Sequence, residues 1–150
     1  MSQSLSKILI HLVTSTKNRQ ALLTPTIRPE LYAYIAAILK SCDSPALKIG
    51  GTEDHVHILL ALSRNYTLAK ITEEFKKSSS KWIKTKGPEF CTFSWQNGYG
   101  GFSVSQSHVD DVIHYIETQQ EHHRKMSFQD EYREFLRRYQ IIFDEKYVWD

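Results

Sequence analysis

Apolar and polar positions alternate in two stretches of the chain regularly enough to define strands. From Ser6 to Thr14, Ile8, Ile10 and Leu12 fall on one face and Leu9, His11 and Val13 on the other, because successive strand side chains point to opposite sides. From Asp54 to Leu62, Val56, Ile58, Leu60 and Leu62 share the apolar face, while His55, His57, Leu59 and Ala61 share the opposite one. The two histidines therefore look away from the expected core. Leu47 and Ile49 mark a shorter strand, with Gly50-Gly51 permitting a tight connection into the histidine strand. A fourth strand passes through Phe102 and Val104.

Helical spacing fills the intervals. Leu31, Ile35, Ile38 and Leu39 recur to about Ser41, with Pro29 suited to the first turn. Thr67 caps a helix whose stripe is Leu68, Ile71, Phe75, Trp82 and Ile83, and Gly87-Pro88 ends it. Ser107 with Asp110 reads as a capping box before Val109, Val112, Ile113 and Ile116. Ser127 with Asp130 repeats the pattern before Phe128, Phe135 and Leu136, in a helix to about Arg138. Ile141, Ile142, Phe143, Tyr147 and Trp149 form an apolar tail that needs a surface. This order predicts an α+β fold: a ferredoxin-like split βαβ antiparallel sheet with helices on one face, and an additional C-terminal tyrosine-bearing helix able to cover the histidines on the other.

Length and charge narrow the function. At 150 residues and 41% hydrophobic content, residues 1–150 are expected to form one domain. Lys and Arg number 19 against 17 Asp and Glu, so there is no global basic field and nucleic-acid contacts must come from local clusters. No apolar run reaches the ~20 residues of a membrane span, and no signal peptide is legible; a cytoplasmic protein without a membrane partner is expected. Cys42 and Cys91 lack the spacing of a thiolate metal site and read as reduced cysteines.

The candidate chemistry gathers on the histidine face. His55 and His57 offer two ring nitrogens to a cation, although the pair alone is more often the mark of structural sheet histidines. Tyr115 and Gln119, four apart, put a phenol and an amide oxygen on one helix face. Two nitrogens and a neutral oxygen leave room on a divalent cation for phosphate oxygens, and a phenol beside it is a candidate nucleophile. Lys17 and Arg19 in a polar turn, and Lys76, Lys77 and Lys81 on a lysine-rich helix, are candidate phosphate contacts. Trp95 and Tyr99, among Gly98, Gly100 and Gly101, are candidate stacking platforms for unpaired bases. Packing against the sheet is the commoner use of such aromatics.

The combination of Ser15-Thr16-Lys17-Asn18-Arg19, Gly50-Gly51 before Asp54-His55-Val56-His57, Trp95-Gln96-Asn97-Gly98-Tyr99-Gly100 and Tyr115-Ile116-Glu117-Thr118-Gln119 resembles the single-tyrosine His-hydrophobic-His transposases of IS200-like insertion sequences. The REP-associated tyrosine transposases are near relatives. The resemblance implies Tyr115 as nucleophile, His55, His57 and Gln119 as metal ligands, and Mg²⁺ or Mn²⁺ as cofactor. It further implies a homodimer that binds hairpins in single-stranded DNA and forms a 5′-phosphotyrosine with a free 3′-hydroxyl. His122 and His123 receive no role from it. Three other readings fit part of the pattern: a non-catalytic ferredoxin-like module binding single-stranded nucleic acid, a domesticated enzyme processing REP-type hairpins, and a phosphodiesterase that uses water.

Overall fold

The two alternating stretches become the central strands of a four-stranded antiparallel sheet. The computed structural model describes residues 2–150. In chain order it contains β1 (Leu9–Ser15), α1 (Ile27–Ser41), β2 (Ala46–Gly51), β3 (His55–Ala61), α2 (Leu68–Ile83), β4 (Gly100–Val104), α3 (Val109–Glu117), α4 (Gln119–His122) and α5 (Phe128–Arg138), with short 3₁₀ turns between some of them. The strand order is β2-β3-β1-β4, every neighbouring pair antiparallel, as the split βαβ pattern requires.

Strand parity sets the two faces. Leu12, Val56, Ile58 and Leu60 are fully buried against Ile35 and Leu39 of α1 and Ile71 and Phe75 of α2, each such side chain contributing roughly 1.5–3 kcal/mol. On the opposite face, Leu9 and Leu59 pack with Val109 and Ile116 of α3. Val13 and Phe102 pack with Phe128, Tyr132 and Leu136 of α5. His11, His55 and His57 lie between these two apolar patches, and all three are buried. The second face is thus closed by α3 and α5, where the sequence led us to expect the tyrosine helix alone as its cover. The tail docks in part: Phe143, Val148 and Trp149 pack on the α5 cluster, whereas Ile142 is fully exposed.

Four local expectations are corrected. Gly50 and Gly51 belong to β2; a Cβ on Gly50 would lie 2.6 Å from the Ile116 carbonyl oxygen, so this glycine lets α3 approach the sheet edge. The Ser107 cap does not form. His108 is the N-cap of α3 and no side chain caps it, because the Ser107 hydroxyl sits 3.2 Å from that of Ser105 instead. Tyr115 and Gln119 do not share one continuous helix: Thr118 leaves helical geometry at φ −101°, ψ 20°, and its hydroxyl donates back to His114 O at 3.0 Å, a bond that competes with the helix ladder. The first strand begins at Leu9 and not at Ser6. The caps at Thr67 and Ser127 form as expected, accepting from the backbone N–H of Lys70 and Asp130. No helix among the described residues is long and apolar enough to cross a membrane.

Candidate metal centre and nucleophile

β3 delivers His55 and His57 two residues apart on one face, and each imidazole is held at its rear nitrogen. His55 Nδ1 is 2.7 Å from Asp54 Oδ1 and 2.9 Å from the Thr52 hydroxyl. His57 Nδ1 is 2.8 Å from His11 Nε2, reaching across from β1. Rear bonds of this kind fix ring orientation and leave Nε2 forward. The forward nitrogens meet two side chains from later in the chain. His55 Nε2 is 3.0 Å from Gln119 Oε1, and His57 Nε2 is 3.0 Å from Glu131 Oε1. His123 Nε2 is 3.2 Å from both of those oxygens.

The amide orientation of Gln119 follows from its partners. Its Nε2 donates to Glu131 Oε2 at 3.2 Å and to Tyr115 O at 3.4 Å, so Oε1 must face the imidazoles. Because Nδ1 of His55 donates to the Asp54 carboxylate, a neutral His55 presents a lone pair at Nε2 to the Gln119 oxygen. Two acceptors facing each other at this distance fit a cation between them. His55, His57, His123 and Glu131 each bring a ligand atom, all within 4.8 Å of one another. Three imidazoles, one carboxylate and one amide oxygen suit a divalent cation.

Tyr115 meets the same carboxylate from the other side: its hydroxyl donates to Glu131 Oε2. A single carboxylate therefore bridges the phenol and the imidazole cluster. Burial raises the Tyr115 hydroxyl well above its usual range, and the adjacent Glu131 charge adds to this. For Glu131, burial opposes ionisation, but hydrogen bonds from His123 and His57 outweigh it and hold the carboxyl far below its usual range. Burial pushes His11 down to about 3, aided by the charge of His57, and pulls His57 down against its hydrogen bond to Glu131. His11 stays neutral, with one donor and one acceptor nitrogen, so it can support either tautomer of His57. His122 stacks on Tyr115 at 4.6 Å between ring centroids. A cleft of about 630 Å³ opens beside the phenol, lined by Arg124, Lys125 and Arg138 together with the carboxylates of Glu121, Glu131 and Glu134.

The candidate DNA contacts divide. Lys17, Lys77 and Lys81 are exposed. Lys76 instead turns inward and donates to Gln96 O at 2.9 Å and Gly98 O at 2.7 Å, and burial lowers its pKa to about 8. Trp95 is 5% exposed and donates its Nε1–H to Ser79 Oγ, so its ring packs in the core between Phe75 and Phe93. Tyr99 is half-buried, with the Lys76 ammonium 5.7 Å from its ring centre. The Arg19 guanidinium lies 5.8 Å from the Trp149 ring of the tail.

Glu131 and His123 were not singled out from the sequence as site residues. One signal was there: Phe128, Glu131, Tyr132 and Phe135 follow i, i+3, i+4, i+7 spacing, which puts a lone carboxylate on the apolar stripe of an amphipathic helix. His123 has no comparable mark, since its place depends on the turn that joins α4 to α5.

A family model described as "Transposase IS200 like" matches residues 4–119. No curated protein matches the chain at a significant level. Among solved structures, a protein of Deinococcus radiodurans R1 assigned as a transposase superimposes with a TM-score of 0.62 at 21% identity, covering 79% of this chain and 98% of its own. A REP-associated tyrosine transposase bound to a REP hairpin superimposes with a TM-score of 0.60 at 15% identity, covering 82% and 74% respectively. Both likenesses support the fold. Glu131 and His123 lie beyond the residues that the family model matches.

Proposed function

The chain belongs to the IS200-like transposase family, and from that premise we propose that it cleaves and rejoins single-stranded DNA at hairpin-bearing ends, with Tyr115 as the nucleophile. His55, His57 and Gln119 are the ligands of a catalytic Mg²⁺ or Mn²⁺, and the working unit is a homodimer. The observation that carries the reading is the bridge through Glu131: it brings the Tyr115 hydroxyl, the Gln119 amide and the His57 imidazole to one carboxylate. A hairpin substrate is supported by the similar structure that holds a REP hairpin.

A bound cation supplies Lewis-acid polarisation of the phosphodiester. The chain supplies the rest. Asp54, Thr52 and His11 hold the two imidazoles in orientation. Arg124, Lys125 and Arg138 line the cleft through which an anionic backbone reaches the phenol. Attack of the Tyr115 oxygen on phosphorus breaks the bond to the 3′ oxygen. The phosphate stays on tyrosine as a 5′-phosphotyrosine, the departing 3′ oxygen takes a proton from solvent, and the phenolic proton is released to solvent. Because the ester conserves the energy of the broken bond, a 3′-hydroxyl can reverse the step without ATP. Exposed Lys17, Lys77 and Lys81 hold the flanking phosphates, a sequence-independent contribution that weakens with salt.

The test is incubation with Mn²⁺ and a labelled single-stranded oligonucleotide carrying the hairpin next to the gene, resolved on a denaturing gel. A protein-linked band in wild type that is lost in Tyr115→Phe is the expected result. An adduct retained by the variant removes Tyr115 as nucleophile, cleavage without an adduct points to water as the nucleophile, and binding without cleavage points to a non-catalytic module.

A further inference from the structure

We propose that this site has a second, closed metal state, in which His55, His57, His123 and Glu131 together bind a zinc-type transition ion in preference to Mg²⁺ or Mn²⁺ and hold Tyr115 inactive. The inactivity clause rests on the reading of Tyr115 as nucleophile; the ligand assignment does not.

Distances first. Glu131 Oε1 lies 3.0 Å from His57 Nε2, 3.2 Å from His123 Nε2 and 3.6 Å from His55 Nε2. Donors at the usual ~2.0–2.1 Å from Zn²⁺ stand about 3.3 Å apart along the edges of a tetrahedron; these three of the six separations bracket that edge, and all four ligand atoms lie within 4.8 Å of one another. Donor chemistry points the same way. Imidazole nitrogens favour zinc and its neighbours, whereas Mg²⁺ and Mn²⁺ favour carboxylate, carbonyl and water oxygens. Three of these four donors are imidazoles, and His55 and His57 already carry the rear hydrogen bonds that buried metal-binding histidines use.

The four-ligand set differs from the catalytic one in what it leaves free. A catalytic site keeps positions for substrate, while a site with four protein ligands is closed. His123 and Glu131 occupy the positions that phosphate oxygens need, and Glu131 Oε2 keeps the Tyr115 proton in place. Both closing ligands come from the segment after residue 119, outside the part of the chain the family model matches. The open set of His55, His57 and Gln119 lies within or at the end of that part. The chain therefore carries a shared histidine pair and two alternative completions: a neutral amide that leaves the ion accessible, and a histidine with a carboxylate that does not. Exchange between them needs α5 to withdraw Glu131, which an incoming anionic phosphate favours by repulsion.

The experiment uses the full chain, stripped of metal and titrated with Zn²⁺ or Mn²⁺ alone against a chromophoric chelator, together with the visible spectrum of the Co²⁺-loaded protein. Zn²⁺ is expected to bind at least about 100-fold tighter than Mn²⁺. Glu131→Gln and His123→Ala should each loosen Zn²⁺ by about tenfold or more while leaving Mn²⁺ within about threefold, since its ligands are spared. Co²⁺ should give the intense absorption of four-coordinate cobalt. Unchanged Zn²⁺ affinity in both variants, or the weak spectrum of six-coordinate Co²⁺, overturns the proposal. His123 is less deeply buried than Glu131, so His123→Ala decides the matter if Glu131→Gln fails to fold. An adduct formed as fast with Zn²⁺ as with Mn²⁺ overturns the inactive state. Absence of any adduct with Mn²⁺, with the Zn²⁺ results as expected, defeats the functional reading and leaves the closed site standing.

Discussion

The two faces of the sheet are made from alternate residues of the same strands, yet they are built to opposite rules. Under α1 and α2 the strands present a mainly aliphatic layer, Leu12, Val56, Ile58 and Leu60 against Ile35, Ile71 and Phe75, with Thr14 its one buried hydroxyl on β1. Under α3 and α5, the same strands present His11, His55 and His57, and α5 answers with Glu131 on its apolar stripe. An aliphatic layer gains stability in proportion to area and is indifferent to pH. A buried polar cluster gains only if every member is satisfied, and it carries titration and ligation with it. One face holds the fold together so that the other can contain a buried, hydrogen-bonded polar cluster.

That contrast breaks or sharpens under three changes. The largest effect is expected on the dry face: Phe75→Ala should lower unfolding free energy by about 3–5 kcal/mol while leaving the Mn²⁺ affinity of the folded fraction unchanged, read by denaturant unfolding and metal titration. A matching loss of metal affinity would show that the faces are not separable. Next is acid. His11 and His57 titrate lower in the folded chain than in the unfolded one, so below about pH 6.5 the unfolded chain binds more protons. Stability then falls as pH drops towards 3, by about 1.4 kcal/mol per pH unit from His11, with His57 acting in the same direction. His11→Gln keeps a hydrogen-bonding partner for His57 without titrating there, and should remove one such increment; an unchanged slope would place the acid sensitivity elsewhere. The smallest effect separates two lysines on α2. Lys76→Met strands two carbonyl acceptors and should cost about 1–3 kcal/mol. Lys77→Met should change stability by less than about 0.5 kcal/mol and act instead on DNA affinity and its salt dependence, read by binding at two salt concentrations.

The lysine pair also shows where sequence reading stops. Lys76 and Lys77 are adjacent, equally basic and indistinguishable by composition. Only the course of the 94–99 loop decides that one is drawn inward and the other left in solvent. Trp95 and Tyr99 part in the same way: Trp95 goes to the core because Ser79 lies where its indole N–H needs an acceptor. Gly50-Gly51 reads as a turn because glycine usually is one, and the close approach of α3 that requires Gly50 has no local signature. Strand and helix identities fared better, because period-2 and period-3.6 patterns are written in consecutive residues.

What the sequence determined by itself is what neighbouring residues enforce. Strand parity puts His55 and His57 together and away from the aliphatic core, helical spacing fixes the apolar stripes of α1, α2 and α5, and the caps at Thr67 and Ser127 mark where two helices begin. The tertiary structure alone decided which later segment returns to cover the histidine face. It brought Glu131 to His57 across 74 residues, His11 to the same ring across 46, and His123 into reach through a turn no pattern announces. Local geometry is set by torsion and alternation, which each short stretch carries in full. The pairing of distant groups depends on how whole elements pack, and a buried carboxylate finds its imidazoles only once that packing is complete.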